Sequence, residues 1–203
     1  MQLIGHLDSP YVRRVAVTAK FLGIPLEHRL LSIFSDYDEF RQVHPLVKVP
    51  TLVCPDGIAL VDSTLIIQYL ETQATNATQL SPIDAAENRL CLKYTGEALV
   101  AFEKGAGLIY EMHARPADKQ HAPWQQRLSE QLRSALELLE ATVAGNNGWL
   151  FGSSISHADI AIAVAWRFVH MREFEAARAD DLPGLSGFAA RAELLPQFSE
   201  CPT

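Results

Sequence analysis

Three short stretches in the first third of the chain hold residue types that suit one kind of ligand: Ser9-Pro10-Tyr11-Val12, Val49-Pro50 and Asp62-Ser63. Pro10 marks a helix start behind Ser9, because its missing N–H loses no intrahelical bond there. A helix N-terminus presents unpaired N–H groups and partial positive charge, surroundings that favour a thiolate, and the Ser9 hydroxyl is one more donor for an anionic sulfur. The plainer reading is that Ser9 only caps the helix. Val49-Pro50 precedes an apolar strand. A cis bond there would turn the backbone N–H and C=O of Val49 outward to pair with an extended peptide, whereas a trans proline would simply open the strand. Asp62-Ser63 opens another helix. A hydroxyl beside helix-end N–H groups suits a carboxylate and the adjacent acid suits an ammonium, together the two charges of an amino-acid head group; either residue also serves as an ordinary N-cap.

The elements that must hold these stretches follow from periodicity. Gln2 to His6 reads as a short strand, and Val12, Val15, Ala16, Ala19 and Leu22 recur at helical spacing until Gly23 and Pro25 stop the helix. Leu26 to Ile33 reads as a second strand and Asp36 to Val43 as a polar helix ending before Pro45. Thr51–Cys54 and Ile58–Val61, separated by Pro55-Asp56-Gly57, predict a β-hairpin, and the helix from Asp62-Ser63 buries Leu65, Ile66, Tyr69 and Leu70. The order is βαβ then ββα: a parallel strand pair extended by antiparallel strands.

Thr72 to Ser81 is polar and weakly patterned, a linker. Beyond it strand signals disappear. Ala85 to Ala114 is helical in pattern, with Gly96, Gly105 and Gly107 as points of weakness, and Trp124 to Ala144 lines up Leu128, Leu132, Ala135, Leu136, Leu139 and Val143 on one face. Ser156-His157-Ala158-Asp159 forms a capping box with Asp in the usual Glu position, flanked by Ile155 and Ile160. The apolar run Ile160–Trp166 that follows belongs at the centre of a helical domain. The expected fold is therefore α/β plus all-α: residues 1–75 as one domain and 84–203 as a helical bundle.

Composition narrows the function. The chain has 203 residues, 48% of them hydrophobic, and a net charge of −7. No basic block exists to attract nucleic acid or an anionic membrane, and the longest apolar run is too short to span a bilayer. Three cysteines, Cys54, Cys91 and Cys201, with no C-x-x-C pair, suit a reduced, cytoplasmic chain without a disulfide frame. Phosphate-loop, dinucleotide and nucleophile-elbow motifs are missing, and the seven histidines have no metal-ligand spacing, so neither a metal nor a cofactor is expected.

The stretches S-P-Y-V-R-R-V (9–15), H-P-L-V-K-V-P-T-L (44–52), L-V-D-S-T-L-I-I-Q-Y-L (60–70) and S-H-A-D-I-A (156–161), in this order and spacing, resemble the glutathione S-transferases from about Leu3 to Phe188. The resemblance implies a thioredoxin-like glutathione-binding domain followed by the family's helical domain. It places Ser9 as the residue activating the glutathione thiol. Val49, before a cis Pro50, would bind the cysteinyl backbone; Asp62 and Ser63 the γ-glutamyl end; Lys48 the glycine carboxylate. Glutathione is then a co-substrate and the reaction is attack on a small electrophile, apolar or aromatic, in detoxification chemistry. The electrophile pocket would lie between Tyr11 and the first long helix of the second half, near Tyr110, His113 and Trp166, whose rings suit a core equally well. The resemblance also implies a two-fold homodimer joining the α/β half of each subunit to the helical half of the other. Ser9 stands where thiol-exchanging relatives carry Cys, which disfavours dithiol chemistry. A glutathione-binding or interaction module without turnover, and a peroxidase or dehalogenase using the same thiolate, remain alternatives.

Overall fold

The computed structural model describes residues 1–75 and 78–203; Asn76 and Ala77, inside the stretch read as a linker, lie outside the described residues. Two compact units result, Met1–Thr78 with Leu194–Thr203, and Gln79–Glu193.

In the first unit four three-residue strands, β1 (Gln2–Ile4), β2 (Glu27–Arg29), β3 (Thr51–Val53) and β4 (Ala59–Val61), form one sheet in the order β2-β1-β3-β4. β1 pairs parallel with β2, Leu3 opposite His28, and antiparallel with β3, Leu3 opposite Leu52; β3 and β4 make the hairpin. Helices α1 (Pro10–Phe21), α2 (Tyr37–Val43) and α3 (Ser63–Gln73) connect them. Leu3, Ile4, Val12, Val15, Phe40, Leu52, Ile66 and Leu70 are fully buried. The sheet is smaller than its sequence suggests because β1 ends at Gly5, whose φ of +132° suits only glycine. Ile4 pairs with Arg29, so β2, an edge strand whose one neighbour among the described residues is β1, has no ladder there beyond that point. Leu30 is accordingly 60% exposed, although the alternating pattern extends to Ile33.

Four long helices make the second unit: α4 (Ala85–Ile109), running into a π-helical turn at Tyr110–Ala114, α5 (Ala122–Val143), α6 (His157–Met171) and α7 (Pro183–Glu193). Asp84 caps α4 by accepting from the N–H groups of Ala86 and Glu87. The glycines of α4 do not interrupt it, and two of them, Gly105 and Gly107, admit neighbours. A Cβ on Gly105 would stand 2.7 Å from Phe168 of α6, and one on Gly107 3.3 Å from Leu128 of α5. α6 is buried on every side from Ile160 to Trp166, as its uniform apolarity requires. Glu140 of α5 accepts from the N–H groups of Gly184 and Leu185, supplying at a distance the cap that Pro183-Gly184 lacks locally.

The chain end departs from the expected division at 84–203. Leu194–Thr203, including the short helix α8 (Pro196–Ser199), belongs with the first unit. Arg13, fully buried on α1, donates from Nε to the Cys201 carbonyl at 2.9 Å and lies over the Phe198 ring. A buried guanidinium binding carbonyls at a helix C-terminus is a long-range contact that no local pattern announces. Among the described residues no helix is long and apolar enough to cross a membrane.

Candidate functional site

Ser9 occupies the N-cap position of α1 with extended backbone, φ −76° and ψ 122°. Its carbonyl accepts from the Arg13 N–H at 2.9 Å and its N–H donates to the His6 carbonyl at 3.1 Å. Its side chain makes no capping hydrogen bond. The plainer reading of this serine, as a side-chain cap, therefore does not hold, and a half-buried hydroxyl is left at the positive end of a twelve-residue helix.

The Val49–Pro50 peptide bond is cis. The loop before it is held on three sides. The Thr51 hydroxyl donates to the Lys48 carbonyl at 2.6 Å, and the Val47 N–H to the His44 carbonyl at 3.1 Å. The side chains of Val47 and Val49 pack on the cluster of Ile4, Leu31 and Phe40. Val47 sits at φ +45°, a rare conformation for a β-branched residue. Among the described residues the N–H and C=O of Val49 bond to nothing. Lys48 is exposed, with no ion pair to another described residue.

Gly5 brings this loop to α1. A Cβ there would fall 2.7 Å from Val12 Cγ2 and 2.9 Å from Val49 Cγ1, so only glycine lets the first turn of α1 and the cis-proline loop close over the end of β1. Arg14 brings in the third stretch: its Nη1 donates to Ser63 Oγ at 3.3 Å and to Thr64 Oγ1 at 3.1 Å. Asp62, at φ +75°, caps α3 by accepting at Oδ1 from the N–H groups of Thr64 (2.8 Å) and Leu65 (3.3 Å), and its carboxylate faces solvent. The three stretches that the sequence singles out are thus gathered around the first turns of α1, two of them through residues whose sequence context signals no such role, Gly5 and Arg14.

Tyr11 follows on α1, half-buried. The remaining candidates lie in the second unit. Tyr110 opens the π turn at the end of α4, 47% exposed, and burial of part of its ring pushes its phenol above the ordinary tyrosine value. His113 is exposed in the same turn. Between them Glu111 is buried, accepting from Arg115 Nε at 2.8 Å and from the His121 N–H at 2.7 Å, which fixes the turn. Trp166 is in the interior of α6, stacked on His170 with 5.3 Å between ring centroids, so its ring is used in packing. No group of three His, Cys, Asp or Glu side chains among the described residues is arranged to hold a metal ion.

Residues 3–78 match the model of the glutathione S-transferase N-terminal domain and residues 122–191 that of the C-terminal domain. Over 186 residues, 91% of this chain and 90% of the relative, it is 31% identical to the uncharacterized GST-like protein YibF of Escherichia coli. The chain belongs to the glutathione S-transferase family. Glutathione S-transferase U3 of Arabidopsis thaliana is 26% identical over 90% of this chain and 77% of its own length. A glutathione transferase family member from Pseudomonas fluorescens Pf-5, solved with bound glutathione, superposes with a TM-score of 0.84 at 26% identity, covering 100% of this chain and 99% of that one. A glutathione S-transferase from Methylobacterium radiotolerans, complexed with glutathione sulfonate, gives 0.87 at 23% identity over 98% of this chain and 93% of that one, a likeness of fold. In this member of the family, then, the first unit is the thioredoxin-like domain and the second the helical domain.

Proposed function

We propose that the chain is a glutathione transferase in which Ser9 donates a hydrogen bond to the glutathione sulfur and holds it as thiolate at the N-terminus of α1. One observation carries this reading: the Ser9 hydroxyl stands at a helix N-cap and is not used as a cap. The unbonded N–H and C=O of Val49 are one residue's antiparallel pairing edge, suited to the cysteinyl backbone, with cis Pro50 shaping the turn. The γ-glutamyl ammonium goes to the outward oxygen of Asp62 and its carboxylate to Ser63 at the start of α3; Lys48 takes the glycine carboxylate. A solved relative holding glutathione supports the choice of ligand. The thiolate attacks a small apolar or aromatic electrophile, which Tyr11 meets from α1 and for which Tyr110 and His113 are the second unit's candidates. The active form is a homodimer.

The test is retention on immobilised glutathione, eluted by free glutathione, together with conjugation of an aryl halide. Retention with turnover is expected. Retention without turnover would reduce the protein to a glutathione-binding module, and no retention would remove the site.

Asp62 allows a sharper check because it has two jobs. Asp62→Asn keeps a good N-cap, whereas Asp62→Ala also loses the cap, about 0.5–2 kcal/mol. Both variants are expected to raise KM for glutathione more than they lower kcat, and only the alanine should lower Tm. An unchanged KM in Asp62→Asn would take this carboxylate out of the site.

A further inference from the structure

Arg14 is almost fully enclosed, and so is Ser63, each with 3% of its surface exposed. One terminal nitrogen of the arginine, Nη1, reaches two hydroxyl oxygens at once, Ser63 Oγ and Thr64 Oγ1. A guanidinium has five donors and no acceptor, so in both contacts the hydroxyl oxygen accepts. Each hydroxyl's own proton must then point away from the arginine, and among the described residues neither proton has an acceptor. This matters because a serine or threonine in the first turn of a helix ordinarily has other choices: it can accept from a nearby N–H or donate back to a carbonyl one turn earlier. Here the N–H groups of Thr64 and Leu65 are already bonded to Asp62 Oδ1. Each oxygen already accepts from Arg14, so each hydroxyl's proton is left to donate outward at the positive end of α3. That is a polarity for an anion, set from behind by a residue that need not touch it.

We propose that Arg14 is a positioning residue for the α-carboxylate of the γ-glutamyl group: it fixes Ser63 and Thr64 as a pair of hydroxyl donors and so makes this end of the site selective for a free amino acid head over one lacking its carboxylate. The proposal rests on the glutathione reading above. It adds a residue that no ligand contact would identify, and it explains why a charged side chain is sealed inside α1 immediately below the start of α3.

The experiment compares the binding, by calorimetry on the full chain, of glutathione and of its analogue without the γ-glutamyl α-carboxylate, 4-aminobutyryl-cysteinyl-glycine. The parent should prefer glutathione by about ten- to a hundredfold, the range of charge-assisted hydrogen bonds. Arg14→Met should erase most of that preference through weaker glutathione binding, with the analogue's affinity changed by less than about threefold. A merely structural role would weaken both tripeptides alike, and a preference as large as the parent's would overturn the proposal. Should Arg14→Met fail to fold, Arg14→Lys decides: a single ammonium lacks the rigid fork of the guanidinium. The ratio should then narrow at least about threefold, and an unchanged ratio overturns the role. A parent protein that binds neither tripeptide overturns the glutathione reading itself; one that binds glutathione while the Arg14 variants discriminate normally overturns only the role of Arg14.

Discussion

Ser9→Ala is expected to bind glutathione nearly as well as the parent and to conjugate it about ten- to a thousandfold more slowly, the range seen when one donor to a developing or full anion is removed. The magnitude follows from the thiol. At a pKa of about 8.5 a free thiol is only about 3% ionised at neutral pH. Lowering that by about two units, enough to make thiolate the main species, requires roughly 2.7 kcal/mol of differential stabilisation. A charge-assisted hydrogen bond supplies about 1.5–3 kcal/mol and the end of α1 a further 0.3–1 or so. The two suffice without any general base, and the helix alone does not. The variant should therefore show a pH–rate profile displaced to higher pH, with the bound thiol titrating closer to its free value, and the ultraviolet absorbance of bound thiolate at neutral pH should fall in step.

The same substitution carries an internal control. An N-cap serine replaced by alanine usually lowers stability by about 0.5–2 kcal/mol. Here the side chain makes no cap bond, so Ser9→Ala should melt with the parent. A loss of rate with no loss of Tm is the signature of a hydroxyl that works on the ligand. Equal rates in parent and variant at saturating glutathione would remove Ser9 from the mechanism, and a Tm lowered together with the rate would return it to the helix.

How much of this was legible beforehand depends on the distance over which each feature is encoded. Helices written in local periodicity were readable, including α5, whose buried stripe Leu128, Leu132, Ala135, Leu136, Leu139 and Val143 is the one seen in the structure. So was the hairpin, where Pro55-Asp56-Gly57 places a turn between two apolar stretches. The extent of β2 was not, because it depends on where its partner β1 stops, and that is decided by Gly5 in another segment. The site divides in the same way. Ser9-Pro10, Val49-Pro50 and Asp62-Ser63 stand out as dipeptides at element boundaries. Gly5, Arg13 and Arg14 are silent, since a glycine after a strand and two arginines in an amphipathic helix have commoner explanations. The arginines act over 49 and 188 residues of sequence, with Ser63 and with Cys201 respectively. Periodicity records only which face is apolar; it cannot record a buried charge whose partners are remote carbonyls and hydroxyls.

Asp159→Ala is expected to be the most destabilising single substitution in the helical unit, by about 3–5 kcal/mol in urea unfolding. Its carboxylate is fully buried. It accepts from the Leu150 N–H at 2.9 Å, the Ser156 N–H at 2.8 Å and the Ser156 hydroxyl at 2.6 Å, while its own N–H donates to Ser156 Oγ at 3.3 Å. Alanine would strand two backbone donors at about 1–3 kcal/mol each and undo half of the box that starts α6, the helix around which the unit packs. The effect should also depend on pH in a definite direction. Burial raises the Asp159 pKa above the usual carboxylate value, outweighing the hydrogen bonds that favour its charged form. The folded state thus holds this proton more tightly than the unfolded chain does. That contribution to stability is complete below the unfolded carboxyl pKa of about 3.9 and is lost as pH rises through the higher folded value. The gap between parent and Asp159→Ala should accordingly be widest below about pH 3.9 and narrow as pH rises toward neutrality, even as the stranded donors keep it open. A gap that widened with rising pH would mean that hydrogen bonding outweighs burial at this carboxylate. A loss under about 1 kcal/mol would mean that α6 does not depend on its box.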